Sequence, residues 1–383
     1  MNFRHVLLSA VAVAVIPGYV YCATQVADSR GNGMGNTGVA SADYLVAPFY
    51  NPALTAHYRD SDDVGLLLPA VGASLKDSDD TLGEVDDLQD TIDAFKASPS
   101  TANINKLNGH LDRLQGDAPL TASANAGIAV AIPNEQVALN IYTRGYVEIA
   151  GKTNIPDYVN TGNAANDTTT RYTNSEVELA AFGFTELGVS FAKQLDFQGQ
   201  AISVGFTPKY QQLRTYYRKL DVENFELDDY DESERNKKTL NMDIGALWHK
   251  DEWRVGFSVK DLFKKEIKTE DPAIKYELNP QATVGAAYAT QLFTAAIDVD
   301  LTKQSRFNHI DDDTQFVRFG VEGNAWDWLQ VRAGYQIDTK DTMDNTVTAG
   351  IGISPFDVVS LDIAGSYADK HEFGGSANLA FTF

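Results

Sequence analysis

From about Val64 onward, apolar residues fall on every second position through most of the chain. Leu329, Val331, Ala333, Tyr335 and Ile337 share one face, and Gln330, Arg332, Gly334 and Gln336 share the other. Val359, Leu361, Ile363 and Tyr367 alternate in the same way with Ser360, Asp362, Ala364 and Ser366. The register recurs in Leu240, Met242, Ile244, Ala246 and Trp248 against Asn241, Asp243 and Gly245. It recurs again in Val255, Phe257 and Val259 against Arg254, Gly256, Ser258 and Lys260. Period two predicts strands with one face in oil and one in water. A soluble antiparallel sandwich alternates as well, so the pattern by itself leaves both architectures open.

Three further features favour a membrane barrel. The polar face is small and charged over segment after segment. The four tryptophans, Trp248, Trp253, Trp326 and Trp328, stand at segment ends beside short turns, as an interfacial girdle requires. The connections also alternate in length. Short ones fall near residues 133–136, 196–199, 249–252, 290–291, 323–327 and 354–355, and longer ones at 73–119, 151–171, 217–237, 261–279, 302–312, 338–343 and 368–372. Outer-membrane barrels pair short periplasmic turns with long external loops. Thirteen connections predict fourteen strands, with residues 172–195 read as one long or kinked strand through Gly183. The last strand then places Gly375, Ala377, Leu379, Phe381 and Phe383 outward and Ser376, Asn378, Ala380 and Thr382 inward. Phe381 and Phe383 form the expected signal for the barrel-assembly machinery on the periplasmic side. The expected fold is all-β, a 14-stranded antiparallel transmembrane β-barrel occupying residues 62–383.

The amino end changes the compartment. Arg4 and the apolar run from Val6 to Val15, cut short by Pro17 and Gly18, read as a signal peptide over residues 1–23, cleaved after Cys22 or Ala23. That run is too short to span about 30 Å of hydrocarbon. Cys22 is the only cysteine, and bulky Tyr21 before it argues against lipoprotein processing. No later stretch of about 20 apolar residues exists, so a membrane protein here satisfies its backbone by closing a barrel. The net charge of −22, from 53 acids against 31 basic residues, argues against nucleic acid as a partner.

Residues 24–61 lack sustained alternation and are rich in Gly, Ala, Asn and Ser. The run from Arg30 to Ala40 contains Gly31, Gly33, Gly35 and Gly38 but lacks the Gly-Lys-Ser/Thr ending of a phosphate loop. It is followed by Tyr50-Asn51-Pro52-Ala53-Leu54. This Gly-Met-Gly-x-x-Gly-Val-Ala-x-Ala-Asp stretch, with Asn-Pro-Ala beyond it, resembles the amino-terminal segment of the FadL-like outer-membrane transporters. The whole chain most resembles their conjugal transfer TraF-type outer-membrane group. The resemblance implies a barrel plugged by its own amino-terminal segment, with Gly33, Gly35, Gly38, Asn51, Pro52 and Ala53 as the plug motif. It implies passive uptake of a hydrophobic or amphipathic small molecule, though no ligand-site motif carries over. A non-transporting structural or conjugation-associated role is the alternative.

Two other regions stand apart from the barrel pattern. Leu82, Val85, Leu88, Ile92 and Phe95, then Ile104, Leu107, Leu111 and Leu114, recur at helical spacing on either side of Ser98-Pro99-Ser100-Thr101. They predict a helical hairpin within residues 77–116, either packed on itself or serving as a lid. Acidic runs at 221–234 and 311–313 suit solvated loops that could bridge cations to lipopolysaccharide, without EF-hand spacing. Outer-membrane lipid is the remaining expected partner. Parity sends Arg144, Arg254, Lys260, Arg318 and Arg332 into the lumen with Asp243, Asp298, Asp300, Glu322 and Asp362, as a structural network or a conduit lining. His57, His110, His249, His309 and His371 fall in loops, turns or near the plug without metal-ligand spacing, so no catalytic residue, cofactor or metal is expected.

Overall fold

In the computed structural model the described residues are 26–77, 79–116, 120–224, 233–310, 313–325, 328–355 and 358–383. The expected signal peptide, Trp326, Asp311, Asp312 and most of the 221–234 acidic run lie outside them. Before the first strand come helices α1 (Ser29–Gly33) and α2 (Ala47–Tyr50) and a 3-10 turn, Pro52–Ala56. Strand β1 (Gly65–Lys76) leads into helices α3 (Thr81–Ala97) and α4 (Thr101–Leu114), then strands β2 (Leu120–Ile132) and β3 (Ala138–Asn154). Helix α5 (Ala164–Thr173) precedes β4 (Glu176–Phe197), β5 (Gln200–Asp221), β6 (Arg235–Lys250) and β7 (Trp253–Lys260). A small hairpin follows, β8 (Lys265–Lys268) and β9 (Lys275–Leu278), and then β10 (Gln281–Ala289) and β11 (Phe293–Asp300). The chain finishes with β12 (Phe316–Ala325), β13 (Leu329–Asp338), β14 (Thr346–Ile353), β15 (Val359–Asp369) and β16 (Glu372–Thr382).

All strands except β8 and β9 close into one antiparallel barrel, so fourteen strands form the wall. Closure is made by β1 on β16, from Gly65 opposite Thr382 to Lys76 opposite Glu372. Parity follows the sequence pattern. Val331, Ile351 and Ile363 are exposed on the outside, whereas Arg332 and Asp362 are buried inside. Trp253 and Trp328 are exposed beside short turns, and Trp248 donates from Nε1 to Gln200 Oε1 at 2.6 Å. The exposed apolar face and closed hydrogen-bonding together make this an outer-membrane β-barrel.

The wall is uneven in height. Strands β4 and β5 run 22 residues each, about twice what a tilted strand needs to cross a bilayer. Their outer ends are buried on both faces, which destroys the alternation there. Outside, Val177 and Leu179 pack with Ile155, Tyr172 and the stripes Val85, Leu88, Ile92, Phe95 and Leu107, Leu111, Leu114 of α3 and α4. Inside, Ala180, Phe182, Leu213 and Tyr217 pack with Ile267, Ile274 and Tyr276 of the small hairpin and with Phe307 and Ile310. The predicted helical hairpin is present, with Ser100 Oγ capping α4 by accepting from Asn103 N. Its stripe is consumed against the outer wall and against itself, and the mouth is covered instead by the β8–β9 hairpin.

The strand limits depart from expectation chiefly at the start of β4 and at the last connection, and β4 itself is the long rather than the kinked strand. The long strand starts at Glu176, because Tyr172 belongs to α5, where its ring meets Phe95 edge-on at 6.1 Å. That Thr-rich helix has weak intrinsic propensity and depends on its Asn163 cap and its packing. The pairing of β4 with β3 and β5 runs past Gly183 without a break, so the strand has no kink there. The last connection is short rather than long: Asp369 already pairs with Glu372, leaving only Lys370 and His371 in the turn.

Candidate functional site

The segment from Val26 to Ala56 lies inside the barrel, and its shape is set by a few side chains. Asp28 caps α1 by accepting from Arg30 N and Gly31 N at 3.1 and 2.8 Å, and Tyr50 Oη donates to the same carboxylate at 3.1 Å. Asn51 is the pivot of the Asn-Pro-Ala motif. Its Nδ2 donates to Val39 O at 2.9 Å and to Ala246 O of β6 at 3.1 Å, while its Oδ1 accepts from Ala53 N at 3.0 Å. Pro52 begins the 3-10 turn, where its missing N–H costs nothing. Ala53 and Leu54 are fully buried.

The wall receives this segment on a track of glycines. A Cβ on Gly205 would lie 2.5 Å from Pro52 C, and one on Gly256 2.3 Å from Val39 O. On Gly320 it would meet Met34 O at 2.4 Å, on Gly334 Gly35 N at 2.0 Å, and on Gly350 Gly33 Cα at 3.1 Å. Gly245 would strike Asn51 Oδ1 at 1.9 Å. Five of these six glycines sit on three cross-strand glycine pairs, Gly205 with Gly245, Gly256 with Gly285, and Gly320 with Gly334. Main chain therefore packs on main chain through half the circumference. Of the segment's own glycines, Gly35 adopts φ +67° and Gly38 lies under the Tyr50 ring.

Charged lumen residues tie the same segment down. Asp298 Oδ2 accepts from Gly38 N at 2.8 Å and Val39 N at 3.0 Å. Arg30 forms a bidentate pair with Glu322 at 2.9 and 2.7 Å. Glu322 also accepts from Arg332 Nε at 2.6 Å, and Arg332 continues to Asp362. Asn378 links Asp362 at 3.1 Å to Ser29 N at 2.7 Å. A second cluster lies across the lumen. Lys209, fully buried, reaches Asp243 and Asp261 at 2.8 Å and Glu186 at 3.5 Å, and Glu186 pairs with Arg144 at 2.6 Å. Arg318 grips Asp300 with two bonds of 2.7 and 2.9 Å.

The predicted lumen set thus divides. Glu322, Arg332, Asp362 and Asp298 anchor the segment, Arg144 and Asp243 belong to the second cluster, and Arg318 pairs within the wall. Arg254 has no ion-pair partner among the described residues and stands near His57, whose ring meets His249 at 5.1 Å. Lys209 and Glu186 were missed, although Gly205, Thr207, Lys209 and Gln211 alternate with Val204, Phe206 and Tyr210 and carried the signal. Phe383 accepts from Asp63 N and Val64 N through its carbonyl and leaves its side chain exposed, and Phe381 is half-buried. Among the described residues no group of three or more potential metal ligands occurs.

A chamber of about 210 Å³ remains between the segment and the inward-folded loops. Its base is Val26, Asn36, Val39, Phe49 and Tyr50, and its top is Tyr276–Asn279, Gln304 and Ser305. One side is aromatic: Tyr146 stacks on Phe184 with centroids 5.5 Å apart, and Phe182 on Tyr276 at 3.6 Å. The other carries Lys260, Asp298, Asp300 and Arg318. The cap is fastened by Glu148, which accepts from Tyr276 Oη at 2.7 Å, Tyr146 Oη at 2.9 Å and Arg306 Nε at 3.1 Å. Within the cap hairpin, hydrogen bonds from Lys264 and then Lys275 hold the Glu277 carboxyl down at about 2.

A family model described as "F plasmid transfer operon, TraF, protein" matches residues 48–300. Among solved structures, a FadL homologue of Pseudomonas aeruginosa superposes with a TM-score of 0.54 at 10% identity, covering 95% of this chain and 98% of that one. A deltaS2S3 mutant of the TodX monoaromatic hydrocarbon channel gives 0.51 at 11% identity, with 92% and 98% covered. At these identities the likeness concerns the fold. No curated protein matches the sequence.

Proposed function

The chain belongs to the TraF family of the F plasmid transfer operon description, and from that premise we propose that it is an outer-membrane channel for passive uptake of a small hydrophobic or amphipathic compound. The observation that carries the reading is the aromatic-walled chamber held inside the lumen between the amino-terminal segment and the inward-folded hairpin. A concave space that sets an apolar wall against convergent polar groups is a usual form of a small-molecule site. The segment acts as a plug. With its backbone against the glycine track it denies a water-filled pore, so passage requires binding in the chamber and then displacement of the plug. Support also comes from the fold shared with a protein described as a monoaromatic hydrocarbon channel.

Reconstituted full-length protein is expected to bind toluene and to conduct poorly in planar bilayers, whereas deletion of residues 24–54 opens steady conductance. Absence of binding, with no conductance change on deletion, overturns the proposal. That result would favour the second reading, a structural role in a conjugation-associated envelope assembly, which the family description supports.

A further inference from the structure

We propose that the chamber selects a single-ring aromatic carboxylate, with the ring against the aromatic wall and the acid group held by Lys260 and Asn36. This rests on the reading of the lumen as a conduit, and it adds a ligand class.

Size comes first. A cavity of about 150 Å³ lined by apolar side chains takes up benzene. At about 210 Å³ this chamber has room for one ring and a small substituent, whereas an extended long acyl chain would have to run out through its open side. The wall suits a ring, since Phe182, Phe184, Tyr146 and Tyr276 offer faces and edges at stacking distances.

The polar side is not that of a hydrocarbon site. Every carboxylate lining the chamber already holds at least one partner. Asp300 is gripped by Arg318, Asp261 by Lys209, and Glu277 by Lys264 and Lys275. Asp298 takes the two plug N–H groups through Oδ2; its Oδ1 has no hydrogen-bond partner among the described residues and lies 2.3 Å from where a Cβ on Gly285 would stand. Lys260 differs. Its Nζ donates to Phe49 O at 2.6 Å, and among the described residues no carboxylate lies within ion-pair distance. Two of its three N–H donors are unassigned. Asn36, 7% exposed and held at φ +60°, also lines the chamber, and neither its Oδ1 nor its Nδ2 has a hydrogen-bond partner. A buried amide without partners is destabilising unless something occupies the space beside it. An ammonium and an amide donor that both line one aromatic chamber match a carboxylate on a ring, through charge-assisted hydrogen bonds.

The test compares benzoate, toluene and hexadecanoate on the full-length protein in detergent by saturation-transfer NMR and competition. Benzoate is expected to bind and to displace toluene. Lys260→Met should weaken benzoate at least tenfold and leave toluene unchanged, and Lys260→Arg should restore most of the loss. Asn36→Gly, which suits the positive φ, should weaken benzoate severalfold. Heat-modifiable migration on gels verifies that each variant has folded. Toluene binding as tightly as benzoate, with both indifferent to Lys260→Met, would overturn the carboxylate assignment while the conduit reading stands. Hexadecanoate displacing benzoate from the chamber would overturn the size argument. No binding of any of the three would remove the conduit reading as well.

Discussion

Gly334→Ala tests the seating of the plug with a single methyl group. Its Cβ would lie 2.0 Å from Gly35 N and 2.3 Å from Met34 C, where an unstrained contact between heavy atoms is about 3.5–4.0 Å. Both struck atoms are main chain, so no rotamer change relieves the overlap. The plug cannot retreat freely either, because Gly35 N is bonded to Thr348 Oγ1 at 2.8 Å and Gly38 N to Asp298 on the next stretch. Overpacking of this kind costs about 1–3 kcal/mol, and two fixed backbone contacts put this site in the upper half of that range. At 1.4 kcal/mol per decade, the displaced plug population rises roughly 30-fold to 140-fold. Single-channel recording in planar bilayers should report that rise as open time. Two controls isolate the cause. Gly323→Ala, with nothing within 4 Å of its Cβ, should record as wild type, and Gly334→Ala in a protein lacking residues 24–54 should conduct like that deletion alone. Wild-type conductance in Gly334→Ala, or an equal effect from Gly323→Ala, would refute the close-packed track.

Other consequences can be read with different instruments. Asp298→Ala strands the N–H groups of Gly38 and Val39, each at about 1–3 kcal/mol, so amide exchange at these two positions should accelerate at least tenfold ahead of the rest of the plug. Lys209→Met leaves Asp243, Asp261 and Glu186 facing one another without their shared cation. The expected loss is about 3–5 kcal/mol, seen as a lower temperature for conversion to the unfolded band on gels. The cap hairpin should respond to acid in a defined window. Because the Glu277 carboxyl is depressed from 4.5 to about 2 by Lys264 and Lys275, its contribution is complete above pH 4.5 and is lost as pH falls toward 2. Hairpin amide protection that declines between pH 8 and 5 instead would contradict this assignment.

Much of the wall was legible because lipid and lumen impose a strict two-residue period, and a one-residue slip would invert every side chain. The pattern failed where that constraint is absent. Along residues 176–183 both faces of β4 are covered, by helices outside and the hairpin inside, so apolar residues occupy both parities. The lumen charges were placed on the correct face, yet parity carries no information about height or partner. It could not tell that Asp298 holds the plug while Arg318 binds only its neighbour in the wall. The glycine track was visible letter by letter, as Gly245, Gly256 and Gly334 on the polar face. Its meaning depends on the path of a segment more than 150 residues away in sequence. The chamber was not legible at all, because its cap is a hairpin in a loop whose inward fold rests on the stacking of Tyr276 on Phe182 and on the bond to Glu148.

The closure of the wall gives the plug a mechanical partner. After the Pro52–Ala56 turn only residues 57–64 intervene before β1, and Asp63 N and Val64 N are bonded to Phe383 O at the end of β16. Strand β1 is one side of the seam where the first and last strands meet. A pull on the amino-terminal segment is therefore transmitted, through a tether of eight residues, to the zipper that makes the cylinder continuous. The load falls on the end of that zipper, at Gly65 and Thr382, where hydrogen bonds break in succession rather than together. The segment that the proposed uptake would have to displace is thus harnessed to the joint that keeps the barrel whole.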